Sequence, residues 1–343
     1  MGFLRLFLAL GVIAAHTSGS PSFFVGGRES VLLFYIISGF YMSLILNEKY
    51  TGVGSNIAFY KSRYLRLWVP YAVAMVFVAI GFLASGVWRF YAETYQAFPA
   101  GYAVFAGLSN IFILGQDILW LVSTRAGELV LRPMGAEGFN GASLAMNGPV
   151  FSVSLELYFY MLAPFIVRRK RTAYLFALTG LAYHVMLRAG HLSSLGLTYH
   201  VFPATVAYFG MGASLYHLSK KELWQKSDLA FIAVAVGLIM LMSSTFLPRP
   251  LLIGFMVALP FLFALMRRIA FDRWLGELSY GVYIIHLPLL MIVNKWTHDF
   301  WGVGQFWGIA LTSILLSMAL HHGIEVPLTR YRERHFASRM ISK

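Results

Sequence analysis

Apolar residues fall into eleven long runs along the chain, and charged residues collect between those runs. Most of the runs are close to the ~20 residues that an α-helix needs to cross a bilayer. They span residues 3–17, 31–46, 67–87, 102–122, 149–167, 173–190, 201–218, 229–247, 251–269, 275–293 and 303–324. The pattern predicts an all-α polytopic membrane protein that forms one transmembrane domain over residues 1–343, without a fused soluble domain.

The basic residues between the runs are concentrated in particular loops. Clusters occur at residues 49–66, 168–171, 220–226, 267–273 and 330–343. Because positively charged loops are retained on the cytoplasmic side of a membrane, these loops and both termini are predicted to be cytoplasmic.

The run 102–122 is predicted not to cross the membrane. Together with runs 67–87 and 149–167 it lies between two basic loops that belong on the same side, and three crossings cannot connect them. Polar residues and glycines interrupt this run, and a re-entrant or broken segment is tolerated where its backbone is buried in protein. We therefore expect about ten transmembrane helices, with residues 123–148 as the largest external loop.

Composition narrows the classes of function. Only 12% of the residues are charged, and the basic loops account for the formal net charge of +13, so the expected partner is membrane lipid and not nucleic acid. The chain contains no cysteine, which excludes disulfides, thiolate nucleophiles and zinc sites built from cysteine. Its ten histidines lack metal-ligand spacing, and we expect no metal site.

Arg5 and His16 are the polar residues of the first run. The eleven residue steps from one to the other correspond to about three helical turns, which places both side chains on one face, ~16 Å apart along the axis. An ionisable group in hydrocarbon costs several kcal/mol unless it faces protein or a wet cavity, so the pair is a candidate functional site. Alternatively, Arg5 extends to the lipid headgroups and His16 caps the other end of the helix.

Glu156 lies about seven residues inside the run that begins at residue 149. Ser152 and Tyr160 are one helical turn away on either side and share its face. A lone carboxylate at that depth favours a functional role over a structural one.

Arg63 and Arg66 are three residues apart and share a helix face close to the predicted cytoplasmic surface. Two guanidinium groups in this arrangement suit a phosphate or pyrophosphate, which each can bind in bidentate fashion. Attraction to lipid headgroups and control of topology are the alternative explanation.

Two further motifs carry polar residues into apolar runs. Ser38 and Gly39 allow close helix packing, and Ser38 can form a hydrogen bond to a neighbouring helix. Tyr280, Tyr283 and His286 follow one another at three-residue steps. This stripe indicates either a polar pocket or a hydrogen-bonded seam between helices, and the sequence does not favour one over the other.

The order of these motifs resembles the membrane acyltransferase-3 family, whose members are bacterial O-acyltransferases of cell-surface sugars and some antibiotics. Arg5 to His16 is similar to the family's Arg-x10-His element, and Ser38-Gly39-Phe40 is similar to its S-G-F element. The remaining matches are Arg63, Arg66 and Pro70, the segment from Ser152 to Tyr160 with Glu156, the segment from Leu275 to His286, and Glu325 with Pro327. The fifth-run motif departs from the family pattern, because it lacks a tryptophan and a second glutamate.

The resemblance implies an O-acyltransferase of the bacterial inner membrane. Such an enzyme transfers an acyl group, here expected to be acetyl, from cytoplasmic acyl-coenzyme A to a hydroxyl of an extracytoplasmic or lipid-linked saccharide. Acyl-coenzyme A is then a co-substrate, no tightly bound cofactor is expected, and a homodimer is compatible with the sequence.

The resemblance and the residue chemistry together assign roles to individual side chains. His16 is expected to be the general base and Glu156 a second catalytic group that either orients His16 or binds the sugar. Arg5, Arg63 and Arg66 are expected to bind acyl-coenzyme A. The expected pocket residues are Ser38, Tyr160, Tyr283 and His286.

Two other classes of protein compete with this interpretation. A transporter or flippase of a glycolipid or anionic substrate would use the same buried arginine, histidine and glutamate. The sequence lacks the inverted repeat and paired broken helices that are typical of many transporters. A catalytically inactive receptor or scaffold is the third class, and it would not require coenzyme A binding at Arg63 and Arg66.

Overall fold

The computed structural model describes residues 1–125, 127–131, 139–190, 196–220, 223–242, 247–297 and 304–336. The predicted loop residues Arg132 and Glu137 lie outside these ranges, as do the basic residues Lys221, Arg339 and Lys343.

Helices make up most of the described structure, and each predicted apolar run overlaps at least one helix within the described residues. The longer helices are α1 Gly2–His16, α2 Gly27–Glu48, α3 Ser55–Ser85, α4 Trp88–Gln96, α5 Ala100–Phe112, α6 Gln116–Leu119, α7 Phe151–Ile166, α8 Lys170–Ala189, α9 Phe202–Ser219, α10 Lys226–Leu241, α11 Arg249–Met266, α12 Ala270–Thr297, α13 Gln305–Leu320 and α14 Val326–Phe336. Short 3-10 helices occupy Gly141–Leu144 and Gly148–Val150, and π-helical turns occupy Gly196–His200 and His321–Glu325.

A small antiparallel sheet departs from the all-α expectation. It consists of β1 Val122–Arg125, β2 Glu128–Leu131 and β3 Phe139–Asn140, with β1 in the centre. Val122 is opposite Leu131, and Ser123 is opposite Asn140. The sheet lies in the loop predicted to be external, so it does not change the helical character of the bundle.

Six helical segments are long and apolar enough to cross a membrane among the described residues. They are Gly27–Glu48, Ser55–Ser85, Gly148–Ile166, Arg249–Met266, Ala270–Trp296 and Gln305–Arg332. The protein is therefore a helical, multi-pass membrane protein, whereas the expected ten crossings stay a prediction.

The run 102–122 is broken, as predicted. Helix α5 ends at Phe112 and α6 begins at Gln116, and between them both Ile113 and Gly115 have positive φ, which a β-branched residue such as Ile113 adopts at a cost. The break lies beside the middle of α3, where the Trp68 indole donates to Ile111 O and the Tyr71 hydroxyl to Asn110 O.

Close packing of α2 against α9 forms much of the core. A Cβ added to Gly39 would lie 2.0 Å from the carbonyl oxygen of Phe209, and one added to Gly212 would lie 1.9 Å from that of Ile36. Only glycine permits the two backbones to approach so closely. This packing fixes α2 and thereby Ser38, the neighbour of Gly39.

The basic loops meet at one end of the bundle, which we call the basic end. Arg168 donates hydrogen bonds to Leu46 O in the last turn of α2 and to Tyr50 O in the loop that follows, and Lys220 pairs with Glu48. The prediction assigns these loops to the cytoplasmic side, and that orientation stays a prediction.

Candidate active site

A cavity of about 500 Å³ opens between α1, α2, α3, α7 and α12 at the basic end. It extends from Arg273 to Tyr283 on α12, and these ten residue steps of helix correspond to a depth of ~15 Å. Seven of the nine predicted site residues line it: Arg5, Ser38, Arg63, Arg66, Glu156, Tyr160 and Tyr283.

The carboxylate of Asp272 fixes the position of Arg5. It accepts hydrogen bonds from the backbone N–H groups of Gly2 at 2.8 Å and Phe3 at 2.9 Å, which are unsatisfied donors in the first turn of α1. An acidic group at a helix N-terminus is also stabilised by the helix dipole. The contact anchors α1 to α12 and directs Arg5 into the cavity.

None of the three half-buried arginines on the cavity wall forms an ion pair among the described residues. Within the described ranges, no carboxylate or carbonyl group lies within hydrogen-bonding or ion-pairing distance of Arg5, Arg63 or Arg66. The Nε atom of Arg63 is buried without a hydrogen-bond partner. Withdrawing a cation from water is costly unless it is paired, so this wall is arranged to receive an anion.

Glu156 faces the same cavity and is held by hydroxyl groups. Its Oε1 atom accepts a hydrogen bond from the Ser38 Oγ at 2.6 Å and from the Tyr160 hydroxyl at 2.5 Å. The bond from Ser38 connects α2 to α7, the bond from Tyr160 lies within α7, and together they fix one carboxylate oxygen. No contact joins Glu156 to His16 among the described residues, so the structure does not support the expected role of orienting His16.

The opposite face of α7 is fastened to the broken segment. Asp117 accepts hydrogen bonds from Ser154 Oγ at 3.1 Å and from the Tyr158 hydroxyl at 2.9 Å, and the N–H of Gly115 donates to both hydroxyl oxygens. Ser154 and Tyr158 are two residues from Glu156 in either direction, hence on the far side of the helix. The break in run 102–122 therefore supports the helix that presents Glu156.

The stripe of aromatic residues on α12 both lines the cavity and joins neighbouring elements. Tyr280 donates to Leu67 O of α3 at 2.8 Å. The Tyr283 hydroxyl donates to Pro149 O at 2.9 Å and lies 2.7 Å from Ser152 Oγ. The sequence left open whether this stripe forms a polar pocket or a hydrogen-bonded seam between helices. In the structure, Tyr280 and Tyr283 do both. Tyr283 lies at the inner end of the cavity.

His16 and His286 lie beyond Tyr283 and do not line the cavity. Their rings stack with centroids 5.6 Å apart, and the ring of His286 lies 5.8 Å from that of Tyr283. His16 is exposed, whereas His286 is fully buried. The predicted site is thus divided into an arginine-lined cavity and a histidine pair, with Tyr283 between them.

The hydrogen bond of His286 determines its tautomer. Nδ1 lies 2.6 Å from the carbonyl oxygen of Tyr283, which can only accept, so Nδ1 carries the proton. Nε2 is buried without a hydrogen-bond partner among the described residues, which leaves its lone pair available beside His16. The two imidazoles therefore form a pair of bases at the end of the site that is remote from the arginines.

Two of the arginines that line the cavity were missed as site residues by the sequence prediction, which assigned Arg267 and Arg273 only to topology. Both line the cavity from the connection between α11 and α12. Their sequence signal was indistinguishable from that of the other basic loops, because only the long-range packing of α12 against α1 and α3 brings this connection to the cavity.

The fold and the cavity define a helical membrane protein with a polar site that passes from uncompensated arginines to a pair of histidines. A family model described as an acyltransferase domain matches residues 1–322. The chain belongs to the membrane acyltransferase-3 family and is a membrane acyltransferase. No curated protein and no solved structure matches it.

Proposed function

We propose that this protein transfers an acetyl group from cytoplasmic acetyl-coenzyme A to a hydroxyl of an extracytoplasmic or lipid-linked saccharide at the bacterial inner membrane. The observation that supports this proposal most strongly is the group of three arginines that lie without counter-ions on one cavity wall. Membership of the acyltransferase-3 family makes an acyl donor the anion to consider first.

The phosphates of the donor bind at Arg63 and Arg66, with Arg5 deeper in the cavity. Guanidinium groups hold phosphate oxygens through paired, charge-assisted hydrogen bonds, and the half-buried position strengthens them. The thin pantetheine arm then extends inward along α1. The ~16 Å between Arg5 and His16 is the distance that this arm covers as it passes Tyr283.

His16 acts as the general base on the acceptor. Its imidazole takes the proton of the acceptor hydroxyl while the hydroxyl oxygen bonds to the thioester carbonyl carbon, and the carbon–sulfur bond breaks as the tetrahedral intermediate collapses. The leaving thiolate receives the proton from the imidazolium, which restores the neutral base. The exposure of His16 agrees with access for an acceptor from the side opposite the basic end.

Glu156 participates through the hydroxyl groups that it holds. Because Oε1 accepts hydrogen bonds from Ser38 and Tyr160, the carboxylate fixes the wall past which the thioester moves. Its negative charge also lies among the three arginines and limits their mutual repulsion while the cavity is without an anion.

The decisive experiment measures acetyl-coenzyme A turnover by the purified protein. Free thiol release is recorded with and without a panel of saccharide acceptors, for the wild type, His16→Ala and His335→Ala, the last being an exposed histidine on α14. We expect acceptor-dependent turnover that is lost in His16→Ala and kept in His335→Ala.

Full turnover by His16→Ala would overturn the role of His16. If coenzyme A neither binds nor turns over, the proposal fails, and a transporter of an anionic or glycolipid substrate becomes the better explanation of the cavity. Coenzyme A binding by His16→Ala serves as the test that the variant is folded.

A further inference from the structure

A second group of cations lies at the mouth of the cavity. Arg267 follows the last residue of α11, and Arg273 is in the first turn of α12. Both line the cavity that also contains Arg5, Arg63 and Arg66, but unlike those three they are exposed. The cavity therefore has a half-buried cationic wall and a separate, solvent-accessible cationic rim.

The carboxylates next to the rim are engaged elsewhere. Asp272 accepts backbone hydrogen bonds from Gly2 and Phe3. Glu277 lies 3.4 Å from the Nε2 atom of His321. Among the described residues, neither Arg267 nor Arg273 has a hydrogen-bond acceptor or a carboxylate within ion-pairing distance. Two acidic residues are thus close in sequence, yet within the described ranges neither forms an ion pair with Arg267 or Arg273.

We propose that Arg267 and Arg273 bind the 3′-phosphate of the coenzyme A nucleotide and thereby select the donor. The inference rests on the proposed function. Coenzyme A carries two separate phosphate groups, a pyrophosphate next to the pantetheine arm and a monoester on the ribose. With the arm directed toward Tyr283, the pyrophosphate reaches the half-buried arginines, and the ribose with its monoester remains at the mouth, beside the rim.

Attraction to lipid headgroups is the competing explanation of exposed arginines in a juxtamembrane loop. The chain contains a matched control for it, because Arg268 is adjacent to Arg267, equally charged and exposed, and does not line the cavity. Headgroup attraction depends on charge near the membrane surface and affects Arg267 and Arg268 alike. A phosphate subsite depends only on the residue that faces the cavity.

The experiment titrates the purified, full-length protein with coenzyme A and with 3′-dephospho-coenzyme A. Neither ligand requires knowledge of the acyl chain or of the acceptor. We expect the wild type to bind coenzyme A about tenfold more tightly than the dephosphorylated form, a difference typical of one or two hydrogen bonds to a charged group. The double variant R267A/R273A loses this preference and still binds 3′-dephospho-coenzyme A as the wild type does. Arg268→Ala keeps the preference.

The outcomes separate this inference from the function on which it rests. Equal affinity of the wild type for the two ligands overturns the 3′-phosphate subsite and leaves the proposed function intact. Equal weakening of both ligands in R267A/R273A, or the same loss in Arg268→Ala, also overturns it and favours a general electrostatic effect. If the wild type binds neither ligand, the proposed function fails and the subsite with it. Retained binding of 3′-dephospho-coenzyme A shows that the double variant is folded.

Discussion

Two acidic residues lie on opposite sides of α7 in contrasting surroundings: Asp117 of α6 is buried against one face, and Glu156 projects half-buried from the other. On one face, Asp117 of the broken segment accepts hydrogen bonds from Ser154 and Tyr158, and no arginine lines that contact. On the other face, Glu156 is bound by Ser38 and Tyr160 and opens on a cavity with three arginines. In both places a carboxylate accepts hydrogen bonds from two hydroxyl groups. Asp117 does so in a buried contact between α6 and α7, and Glu156 does so on the wall of the cavity.

The difference distinguishes a structural polar group from a functional one. A buried carboxylate that is enclosed by its donors stabilises the packing of two segments, because every donor would lose its partner if they separated. A carboxylate beside unpaired guanidinium groups leaves charge that the protein itself does not neutralise, and this arrangement becomes favourable when an anion binds. Substitutions on the two faces are therefore expected to affect different measurements.

Glu156→Gln should show the largest effect, and on activity alone. The amide keeps the volume and one acceptor oxygen but removes the negative charge, so we expect turnover to fall about hundredfold, equivalent to ~2.7 kcal/mol of transition-state stabilisation. The free energy of unfolding should hardly change. Turnover by the purified variant and its thermal unfolding midpoint test both statements. Near-normal turnover would show that Glu156, like Asp117, has a structural role only.

Asp117→Ala should show the complementary effect, on stability. Removing the carboxylate leaves the hydroxyl groups of Ser154 and Tyr158 without their acceptor, which costs about 2 kcal/mol of folding free energy. Thermal or denaturant unfolding in detergent measures this loss. Turnover per folded molecule should stay within about threefold of the wild type, equivalent to less than ~0.7 kcal/mol. An activity loss as large as that of Glu156→Gln would show that the two faces do not have separate roles.

Tyr158→Phe and Tyr160→Phe form a matched pair with the smallest expected effects. Each removes one hydroxyl that donates to a carboxylate, on opposite faces of the same helix. We expect Tyr158→Phe to lower the unfolding free energy by about 1 kcal/mol without affecting the Michaelis constant for acetyl-coenzyme A. Tyr160→Phe should lower turnover several-fold at nearly unchanged stability. Identical profiles for the two variants would contradict the comparison.

Much of the bundle follows from the apolar runs, because a run of about 20 residues has few stable structures in a membrane. The interruption in run 102–122 was predictable from its polar residues and from the parity of the basic loops. The small sheet was not, since β1 and β2 have four residues each and show no clear alternation. Short strands are specified by their pairing partners more than by local pattern.

Residues that share one helix face could be predicted from their spacing in the sequence. Their positions along the depth of the site could not, because these depend on how the helices pack. The shared face of Arg5 and His16 followed from their spacing, but only the packed structure shows that Tyr283 separates the cavity from the histidines. Likewise, the sequence identified Asp117 as an interruption, whereas its contacts with Ser154 and Tyr158 depend on how α6 packs against α7. Such pairings between distant segments leave no periodic signal.

Coenzyme A binding to the purified, full-length protein is the most direct test of the central claim that the unpaired arginines of the cavity hold the phosphates of an acyl donor. The titration compares the wild type with the double variant R63Q/R66Q and with Arg171→Gln, an exposed arginine that does not line the cavity. We predict saturable binding to one site in the wild type, a loss of about a hundredfold in the double variant, and no change in Arg171→Gln. Absence of binding by the wild type, or equal binding by the double variant, would contradict the claim.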